Sequence, residues 1–507
     1  MYRPAPRTAL TSLRRGVMVT LSGLLLTTTL VALTAHGPAD AIQDAAPATP
    51  APPAAIQAAV QAAPVQAAPA ATQAATQASR AASRKVEPTG IVTPGDFIGH
   101  GFDQCHTPEQ KRMDAWLQSS PFLAVGIYIS GDSRACREQP NLTPRWVSTQ
   151  LKRGWRLLPI TLGPQASCQP RFPRYQDDKT IIPRPGANGR YGKARKQGNA
   201  EAEKAVAAAT ALGIIPGSTL YYDLEGFDLR NTRCRESALA FLSGWTWQVR
   251  RLGYKSGVYS SAGSGIKMLD DARVQRPKEV VLPDQIWVAR WDGKANVETE
   301  TKYLRSDGWR PHARIKQYRG GHNETWGGVT INIDSNFLEV GRGWVTDPED
   351  NCDGTQLNFA SYDGLRAPGD DYRPPAGRLK ALQCLLKQQG HYQGRVHGRW
   401  TNATVKAFQS WQGGRGLQVR DDWTRKNWII LLAAGEKPVL KFGSAGPAVR
   451  RLQRALNAAG VAKPLVVNGL FKIETGRALR AWQKKVGVEV SGVASRESWR
   501  AISSGRY

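Results

Sequence analysis

Five acidic residues lie at or near the ends of short apolar runs, where a folded sheet would bring them together. Asp103 ends the run FIGHGFD, and Asp223 and Glu225 end the run STLYYDLE. Asp334 lies within the run INIDS, and Asp292 follows the run QIWVARW. Because alternate residues of a strand face the same side, about 6.5–7 Å apart, Asp223 and Glu225 share one face. Two close carboxyl groups cannot both ionise freely, so one becomes a proton donor beside an anion, an arrangement that cleaves glycosidic bonds.

The same acids also have a structural explanation. The segment Asp223-Leu224-Glu225 could simply lead from a strand into a loop and pair with nearby arginines. Asp292 is explained well enough as a solvated loop carboxylate, and we assign it no role. The pattern favours chemistry because several of these acids fall on run ends, and a barrel gathers the carboxyl ends of its strands at one face.

Short apolar runs alternate with helical segments from about Gly90 to Val340. Several runs are rich in Val, Ile, Tyr and Trp, as strands are; the runs are 97–103, 124–130, 156–162, 218–225, 256–260, 285–291, 314–319 and 331–335. The helical segments between them include 107–118, 143–153, 199–212 and 235–252. Eight strands that alternate with helices predict an α/β fold, a (β/α)8 TIM-like barrel, with an open doubly wound sheet as the alternative.

The C-terminal part of the chain contains an internal repeat. Two pairs of segments align at an offset of about 70 residues, 382–390 with 452–460 and 396–412 with 467–483. The two copies predict two small all-α three-helix domains, at 376–434 and 445–505. Residues 341–375, which contain several prolines and glycines, form the predicted linker between the barrel and the first copy.

The first 89 residues predict export and a tether rather than a folded core. Four arginines precede the apolar run Val17–Leu33, and Ala39-Asp40-Ala41 offers a cleavage site, so residues 1–41 are a predicted signal peptide. A transmembrane anchor is the alternative, and the export route, general or twin-arginine, stays open. Residues 42–89 are rich in Ala, Pro and Gln and form a predicted disordered tether. No stable membrane span is expected after cleavage.

Composition narrows the class of partner. The 507 residues predict roughly three folded units, and the formal charge of +28 indicates a polyanionic partner. No nucleic-acid motif occurs, so nucleic acid is not expected. The six cysteines form no CxxC pair, and the seven histidines show no ligand spacing, so we expect no metal or cofactor. Cys352 and Cys384 are one expected disulfide, whereas Cys105, Cys136, Cys168 and Cys234 allow three pairings.

The barrel segment resembles the family 25 glycoside hydrolases, which are lysozyme-type muramidases on a TIM-like barrel. The resemblance rests on Asp103, the D-x-E of Asp223 and Glu225, and Asp334, together with Trp287-Val288-Ala289 and Gln317-Tyr318. The segment is more similar still to a related glycoside-hydrolase-like domain of unknown function in secreted actinobacterial proteins. That second resemblance rests on residues 101–105, 124–129 and 327–334, and it spans about residues 95–340.

The resemblance implies a role for each of these positions. Glu225 is expected to be the general acid that protonates the leaving glycosidic oxygen. Asp223 is expected to orient the substrate or to stabilise the cationic intermediate, and Asp103 and Asp334 are expected to flank the subsite and bind sugar. Four aromatic residues are candidates for stacking on sugar faces, with packing inside the barrel as the alternative, namely Tyr128, Tyr222, Trp291 and Tyr318.

The repeats resemble small three-helix peptidoglycan-binding domains. The first copy carries Leu382-Gln383, Gly398-x-Trp400 and Thr404, and the second copy has the matching residues Leu452-Gln453, Gly469-x-Phe471 and Thr475. Both copies depart from the family, because His397 and Asn468 replace the usual Asp before the glycine, and Thr401 and Lys472 replace the later glycine. The fold tolerates such changes more readily than ligand binding does.

Together these features predict a secreted cell-wall glycan hydrolase of the muramidase type, retained on the wall by two C-terminal modules. The alternative is a non-catalytic envelope protein that binds glycan with a degenerate glycosidase barrel. The expected partner is peptidoglycan or another anionic envelope glycan, and the expected location is the cell wall or the extracellular space. The density of Arg and Lys in the repeats is consistent with retention on such a polymer.

Overall fold

The structure is a computed structural model that describes residues 88–169 and 177–507. These residues belong to one unit, which runs from Arg80 to Tyr507. The predicted signal peptide and almost all of the predicted tether lie outside the described residues. Within the described ranges, no helix is both long and apolar enough to cross a bilayer.

Eight strands of the described chain close into a barrel in sequence order. The strands are β1 (Phe97–Asp103), β2 (Phe122–Ser130), β3 (Arg156–Thr161), β4 (Thr219–Leu224), β5 (Lys255–Ser261), β6 (Gln285–Ala289), β7 (Ala313–Trp326) and β8 (Val329–Val340). Strands β1 to β7 pair in parallel, and apolar side chains on both of their faces are buried, as a sheet covered by helices requires. The predicted TIM-like barrel is confirmed.

Helices follow the first five strands and pack on the outside of the barrel. They are α1 (Gln110–Ser119), α2 (Pro144–Lys152), α3 (Gly192–Ala211), α4 (Thr232–Arg251) and α5 (Lys267–Gln275). The predicted start of α2 is correct in detail, because Thr143 Oγ1 accepts a hydrogen bond from the Trp146 N–H at 3.1 Å and Pro144 is the first helical residue. Helix α3 begins earlier than predicted, at Gly192, since its first turns lack an apolar face.

The last strand departs from the regular alternation of strands and helices. Strand β8 runs antiparallel to both β7 and β1, and β7 joins β8 through the turn Gly327-Gly328, where φ is 58° and 73°. A turn this short can only join antiparallel strands, so no helix fits between them. The hairpin end instead packs on α1, where Trp116 Nε1 donates to the Val329 carbonyl oxygen at 2.9 Å.

The C-terminal region contains two bundles of three helices each, one in each repeat, and the two bundles share one hydrophobic core. The first contains α6 (Ala376–Gln388), α7 (Asn402–Gly414) and α8 (Arg425–Leu432), and the second contains α9 (Pro447–Ala458), α10 (Ile473–Val486) and α11 (Arg496–Ser503). A buried glutamine organises each bundle in the same way. Gln383 Oε1 accepts from the Gly398 N–H at 2.9 Å and Gln453 Oε1 accepts from the Gly469 N–H at 3.0 Å. The repeated Gln and Gly positions therefore have a structural purpose.

His397 and Asn468 occupy equivalent places in the two bundles, although their side chains differ. His397 Nδ1 accepts a hydrogen bond from the Arg399 N–H at 2.9 Å, and Asn468 Oδ1 accepts one from the Leu470 N–H at 2.9 Å. In the first bundle, Nδ1 of His397 thus accepts the hydrogen bond that the side-chain oxygen of Asn468 accepts in the second bundle. The departure from the family pattern preserves the turn.

This equivalence gives a prediction for the first bundle. His397→Asn is expected to leave the free energy of unfolding unchanged, because the amide oxygen accepts the same N–H. His397→Leu is expected to lower it by about 1 kcal/mol, since the Arg399 N–H loses its partner. Guanidinium denaturation followed by tryptophan fluorescence measures both changes. Equal stabilities of the two variants would contradict the proposed equivalence.

The second bundle docks against the barrel at the end opposite the carboxyl ends of the strands. Lys441 is 1% exposed, and its Nζ donates to the carbonyl oxygens of Ser120 and Phe122 at 2.7 and 3.1 Å. Burial holds the pKa of Lys441 well below its usual range. The neighbouring Phe442 packs against His100 of β1 and Phe337 of β8, with ring centroids 5.5 and 6.2 Å apart. The contact covers the place where β1 and β8 meet.

Candidate active site

Asp103 and Asp334 face each other where the barrel closes. Their Cα positions are paired in the register of β1 and β8. Asp103 is 4% exposed, and Asp334 is half-buried. Gly126 on β2 makes room for this pair, because a Cβ on Gly126 would lie only 2.6 Å from the Cβ of Asp103. Although β8 runs antiparallel, Asp334 begins the part of that strand that pairs with β1 and so reaches the same barrel end as Asp103.

Two amide side chains hold the pair. Gln317 Nε2 donates to Oδ2 of Asp103 at 3.1 Å and to Oδ2 of Asp334 at 3.2 Å. Asn336 Nδ2 donates to Oδ2 of Asp103 at 2.6 Å, and Trp287 Nε1 fixes that amide by donating to its Oδ1 at 2.7 Å. The acids are therefore bridged by a buried network rather than exposed singly to water.

The network includes residues that the sequence did not single out as functional. Asn336 was not predicted, although it lies two residues after Asp334 and therefore faces the same side of β8. Tyr259 was not predicted either, and its hydroxyl donates to Gln317 Oε1 at 3.1 Å. Spacing from an identified acid could have found Asn336, whereas the sequence holds no local signal for Tyr259.

The ionisation of the two aspartates is linked. Burial raises the pKa of Asp103, and the nearby charge of Asp334 raises it further, against the opposing hydrogen bonds from Asn336 and Gln317. Burial also raises the pKa of Asp334. Two negative charges this close repel each other, so the pair retains a proton at a pH where exposed aspartates have lost theirs.

Asp223 and Glu225 lie at the end of β4, across the barrel from β1 and β8. Asp223 is 2% exposed, and the Tyr128 hydroxyl lies 3.4 Å from its Oδ2. Gln165, in the loop after β3, holds the backbone on both sides, since its Oε1 accepts from the Glu225 N–H and its Nε2 donates to the Asp223 carbonyl oxygen, each at 2.9 Å. The D-x-E segment is thus fixed at the mouth of the barrel.

The buried phenol of Tyr259 lies near all four acids. Burial raises the pKa of Tyr259, and it is raised further by the charges of four carboxyl groups, those of Glu225, Asp223, Asp103 and Asp334. Tyr259 projects into the barrel from β5, between β4 and β6. Asp223 is paired with Tyr259 in the register of β4 and β5, and Glu225 and Asp334 line one cleft with Tyr259, so these groups lie at the same end of the barrel.

A cleft of about 450 Å³ opens beside these acids. Glu225 and Asp334 line it, with Tyr259, Trp291 and Tyr303. Trp291 is 58% exposed, and its Nε1 donates to Gln317 Oε1 at 2.9 Å, so its ring has a fixed position at the rim. An exposed, anchored indole next to carboxyl groups suits stacking on a sugar ring.

The other predicted aromatic residues have different surroundings. Tyr128 faces Asp223, as described. Tyr222 is 0% exposed, packs on Phe241 and Trp245 of α4, and donates its hydroxyl to the Pro164 carbonyl oxygen at 2.7 Å. The expectation that Tyr222 stacks on sugar is wrong, because it is adjacent to Asp223 and must face the other side of β4.

Tyr318 and Asp292 differ in their surroundings. Tyr318 lies in an irregularity of β7, between the paired residues Gln317 and Arg319, and is half-buried. Asp292 is not a solvated carboxylate, because its Oδ2 accepts from Lys316 Nζ at 3.0 Å and Lys316 is only 1% exposed. A buried ammonium needs such a partner, so Asp292 stabilises the loop between β6 and β7.

Two disulfides brace the loops at this end of the barrel. Cys105–Cys136 joins the loops after β1 and β2, and Cys168–Cys234 joins the loop after β3 to the first turn of α4. The expected bond Cys352–Cys384 is also present. The Cys168–Cys234 bond anchors the loop that carries Gln165, and so it supports the D-x-E backbone indirectly.

Removal of that bond is expected to have a large effect on stability. The double change Cys168→Ala with Cys234→Ala frees a loop whose ends are 66 residues apart. The expected loss is about 4 kcal/mol in the free energy of unfolding, because the unfolded chain gains conformational freedom. Guanidinium denaturation of the variant and of the oxidised parent measures it. Coincident denaturation midpoints would contradict the prediction.

The described ranges 88–169 and 177–507 contain no group of three or more His, Cys, Asp or Glu side chains placed to hold a metal ion.

Comparisons with known proteins agree with the two parts of the chain. Residues 114–338 match the profile of the Rv2525c-like, glycoside hydrolase-like domain, and residues 445–502 match the profile described as "Putative peptidoglycan binding domain". No curated protein matches the sequence.

Three solved structures illustrate what the chain is similar to. An uncharacterized B. stearothermophilus protein is 18% identical over 47% of this chain and 95% of its own, with a TM-score of 0.30. The Mycobacterium tuberculosis Tat-secreted protein Rv2525c, in complex with L-tartrate, is 14% identical over 47% and 95%, with a TM-score of 0.31. The modular autolysin LytC from Streptococcus pneumoniae is 12% identical over 47% and 46%, with a TM-score of 0.28.

The profile matches and the disulfides define a coarse role. Disulfides are typical of proteins that work outside the cytoplasm, and a peptidoglycan-binding match points to the cell wall. The two profile matches together indicate a role related to cell-wall glycan. The chain thus combines a segment similar to the Rv2525c-like, glycoside hydrolase-like domain with a later segment similar to a putative peptidoglycan binding domain.

Proposed function

We propose that the barrel hydrolyses glycosidic bonds of peptidoglycan, as an exported muramidase-like enzyme. The observation that carries the proposal is the convergence of Asp103, Asp223, Glu225 and Asp334 around Tyr259, beside a cleft with an exposed tryptophan. A carboxyl group that faces a cleft and a second one that is buried and hydrogen-bonded are the two groups that glycoside cleavage needs.

Glu225 is the proposed general acid, because it lines the cleft at the end of β4. It transfers its proton to the glycosidic oxygen as the bond from that oxygen to the anomeric carbon breaks. Water then adds to the anomeric carbon and returns a proton to the Glu225 carboxylate, so the group is restored. The buried Asp223, adjacent to the Tyr128 hydroxyl, stabilises the positive charge that develops on the sugar.

Asp103, Asp334 and Trp291 form the proposed sugar-binding part of the site. Asp334 lines the same cleft as Glu225, and the exposed Trp291 lies at its rim. Tyr128 and the half-buried Tyr318 are further candidates for sugar contact, whereas the buried Tyr222 is not. The second C-terminal bundle, which carries the peptidoglycan-binding match, is proposed to retain the enzyme on its substrate.

A non-catalytic glycan-binding barrel is the competing proposal. A basic side chain that neutralised the acids would favour it, and Arg290 does line the cleft. Its guanidinium, however, forms an ion pair with Glu300, with Nε 2.9 Å from Oε2. That pairing lowers the pKa of Glu300 to about 2 and occupies the arginine at the rim. Arg290 therefore gives no support to a neutralised site.

The test is the chemistry of the products. The purified chain is incubated with purified peptidoglycan sacculi, and soluble fragments are reduced with borohydride and identified by mass spectrometry. The hydrolase proposal expects fragments with new reducing ends on the glycan strand. Sacculi that pellet with the protein but release no reducing ends would contradict it and support the non-catalytic alternative.

A further inference from the structure

The hairpin of β7 and β8 continues past the cleft, and its two faces differ. One face is buried, since Ile331 and Ile333 are 9% and 1% exposed. The other, the polar face, is exposed to solvent and carries four uncharged side chains, those of Asn323, Thr325, Thr330 and Asn332. The register of β7 and β8 sets these side chains in two cross-strand pairs, an asparagine pair and a threonine pair.

Contacts with α1 hold the hairpin in place. Arg112 Nη1 donates to the Thr330 carbonyl oxygen at 3.0 Å. Trp116, one turn further along the same helix, bonds the carbonyl oxygen of Val329. Together with the buried isoleucines, these contacts fix the strand that carries half of the polar face. A ligand on that face therefore meets a surface that is already ordered.

The side chains of each pair also hold each other. Asn332 Nδ2 donates to Asn323 Oδ1 at 2.9 Å, and the hydroxyl oxygens of Thr325 and Thr330 lie 2.7 Å apart. A primary amide offers two donor hydrogens and two acceptor lone pairs, so one mutual hydrogen bond leaves most of this capacity open. The polar face thus combines fixed side chains with open donors and acceptors.

The polar face is continuous with the proposed active site. Asp334, which lines the cleft, Asn332 and Thr330 are alternate residues of β8, so they lie on one face of the strand over about 13–14 Å. The extra residues of the irregular pairing lie in β7, so they do not break this alternation. On β7, a Cβ at Gly320 would clash with the ring of Trp291. The tryptophan at the cleft rim therefore rests against the start of the hairpin.

The chemistry of the polar face indicates what binds there. Its four side chains are neutral, although the chain has a formal charge of +28. The nearby ionisable residues His322 and Glu324 belong to the opposite face, where Nε2 lies 3.0 Å from Oε1. A polyanion gains little from neutral groups. Hydroxyl and amide groups that donate and accept hydrogen bonds suit the hydroxyl and N-acetyl groups of a glycan strand.

We propose that the polar face of the hairpin is a glycan-binding surface, which holds the sugar residues of the strand beyond the bond that is cut. The inference rests on the proposed hydrolase function, because the cleft supplies the adjoining part of the binding site. A strand bound beside Asp334 and Trp291 continues over the asparagine pair and then over the threonine pair. The surface therefore favours long strands over short fragments, and its contribution does not depend on charge.

The first measurement is the binding of peptide-free glycan strands, obtained by amidase treatment of sacculi. Every protein carries Glu225→Gln, so that the strands stay intact. Calorimetric titrations are done at about 0.5 M salt, which screens the contacts of the basic bundles with anionic groups. The double change Asn323→Ala with Asn332→Ala is expected to weaken binding about tenfold, the loss that one or two hydrogen bonds produce.

A second variant and a control complete this measurement. Thr325→Val with Thr330→Val keeps the branched shape that strands favour and removes only the hydroxyls, and it is expected to weaken binding at least about threefold. Gln275→Ala removes an exposed amide at the end of α5, on the opposite side of the barrel from the cleft, and is expected to bind as the parent does. Parental affinity in both paired variants would overturn the proposal.

The second measurement is the kinetics of reducing-end release with Glu225 intact. The asparagine double variant is expected to raise KM for long strands about tenfold, to leave kcat unchanged, and to cleave fragments of four sugars as the parent does. An equal loss on long strands and on short fragments would overturn the proposal. Weakened binding without cleavage by any of the proteins would overturn only the hydrolase function, whereas cleavage with unchanged binding would overturn only the role of the polar face.

Discussion

Replacing Glu225 with glutamine is expected to lower the rate of reducing-end release from peptidoglycan by at least about 100-fold, because a positioned proton donor contributes roughly 10²–10⁴-fold to such reactions. The glutamine side chain has nearly the same size as glutamate and keeps the backbone contact between the Glu225 N–H and Gln165. Only the transferable proton is lost. The measurement compares initial rates for the variant and the parent chain at equal concentrations on the same sacculi.

The control for this change is Glu279→Gln, which also replaces a glutamate but lies exposed after α5, away from the cleft. It is expected to release fragments at the parental rate. Both variants should pellet with sacculi as the parent does, since neither touches the C-terminal bundles. Glu225→Gln activity within twofold of the parent would remove Glu225 from the proposed mechanism.

Replacing Asp103 with asparagine is expected to make the protein more stable and less active. Burial and the charge of Asp334 raise the pKa of Asp103 above its ordinary value in the folded state. Folding therefore favours the protonated form, and the parent loses stability as the pH rises from about 4 through the folded-state pKa. The asparagine never ionises, so it avoids that loss. At pH 8 the expected gain is on the order of 2 kcal/mol in the free energy of unfolding.

The pH dependence makes this prediction specific. The difference between Asp103→Asn and the parent is expected to be small at pH 4, where the parental carboxyl is already protonated, and to grow with increasing pH. Guanidinium denaturation at several pH values measures it, with Asp132→Asn as a control at an exposed aspartate. A stability difference that stays constant with pH would show that the folded state does not disfavour the ionised form of Asp103.

The sequence supported the barrel and the acids for separable reasons. Strands β1 to β7 are parallel and buried, so their apolar runs stand out from the helices between them. Asp103, Asp223 and Glu225 lie at the ends of such runs, and the rule that parallel strands present their carboxyl ends at one face applies to them directly. The two bundles were visible because the chain repeats the residues that build them, such as Gln383 and Gln453.

The same rule placed Asp334 at the correct end of the barrel, but it did not account for the direction of β8. Strand β8 is antiparallel, so its carboxyl end points to the opposite end of the barrel. Asp334 reaches the site because it begins the part of β8 that pairs with β1. The direction of β8 follows from the Gly327-Gly328 turn and from pairing with β1. A Gly-Gly pair between two apolar runs is a local hairpin signal, which a regular alternation of strands and helices does not include. Tyr222 failed in a comparable way, because its aromatic type suggested sugar stacking while its parity on β4 directs it toward α4.

The docking of the second bundle was also beyond the sequence analysis. Lys441 looks like one more surface lysine of a basic chain, and a buried lysine is rare. Its burial is acceptable here because its Nζ donates hydrogen bonds to the carbonyl oxygens of Ser120 and Phe122. Those acceptors come from the barrel, more than three hundred residues earlier in the chain. Only the folded structure brings the donor and the acceptors together.

The antiparallel closure of the barrel has a consequence for the order in which the chain folds as it is synthesised. One edge of β1 pairs with β8, and the contact between Asp103 and Asn336 spans 233 residues. That edge of β1 therefore stays unpaired until nearly the whole barrel has been made. Phe442 then packs across the meeting point of these strands, and it arrives later still. A nascent chain that stops before these residues keeps an open sheet edge available to chaperones or to other unfinished chains. Completion of β8, rather than any early segment, therefore closes the barrel.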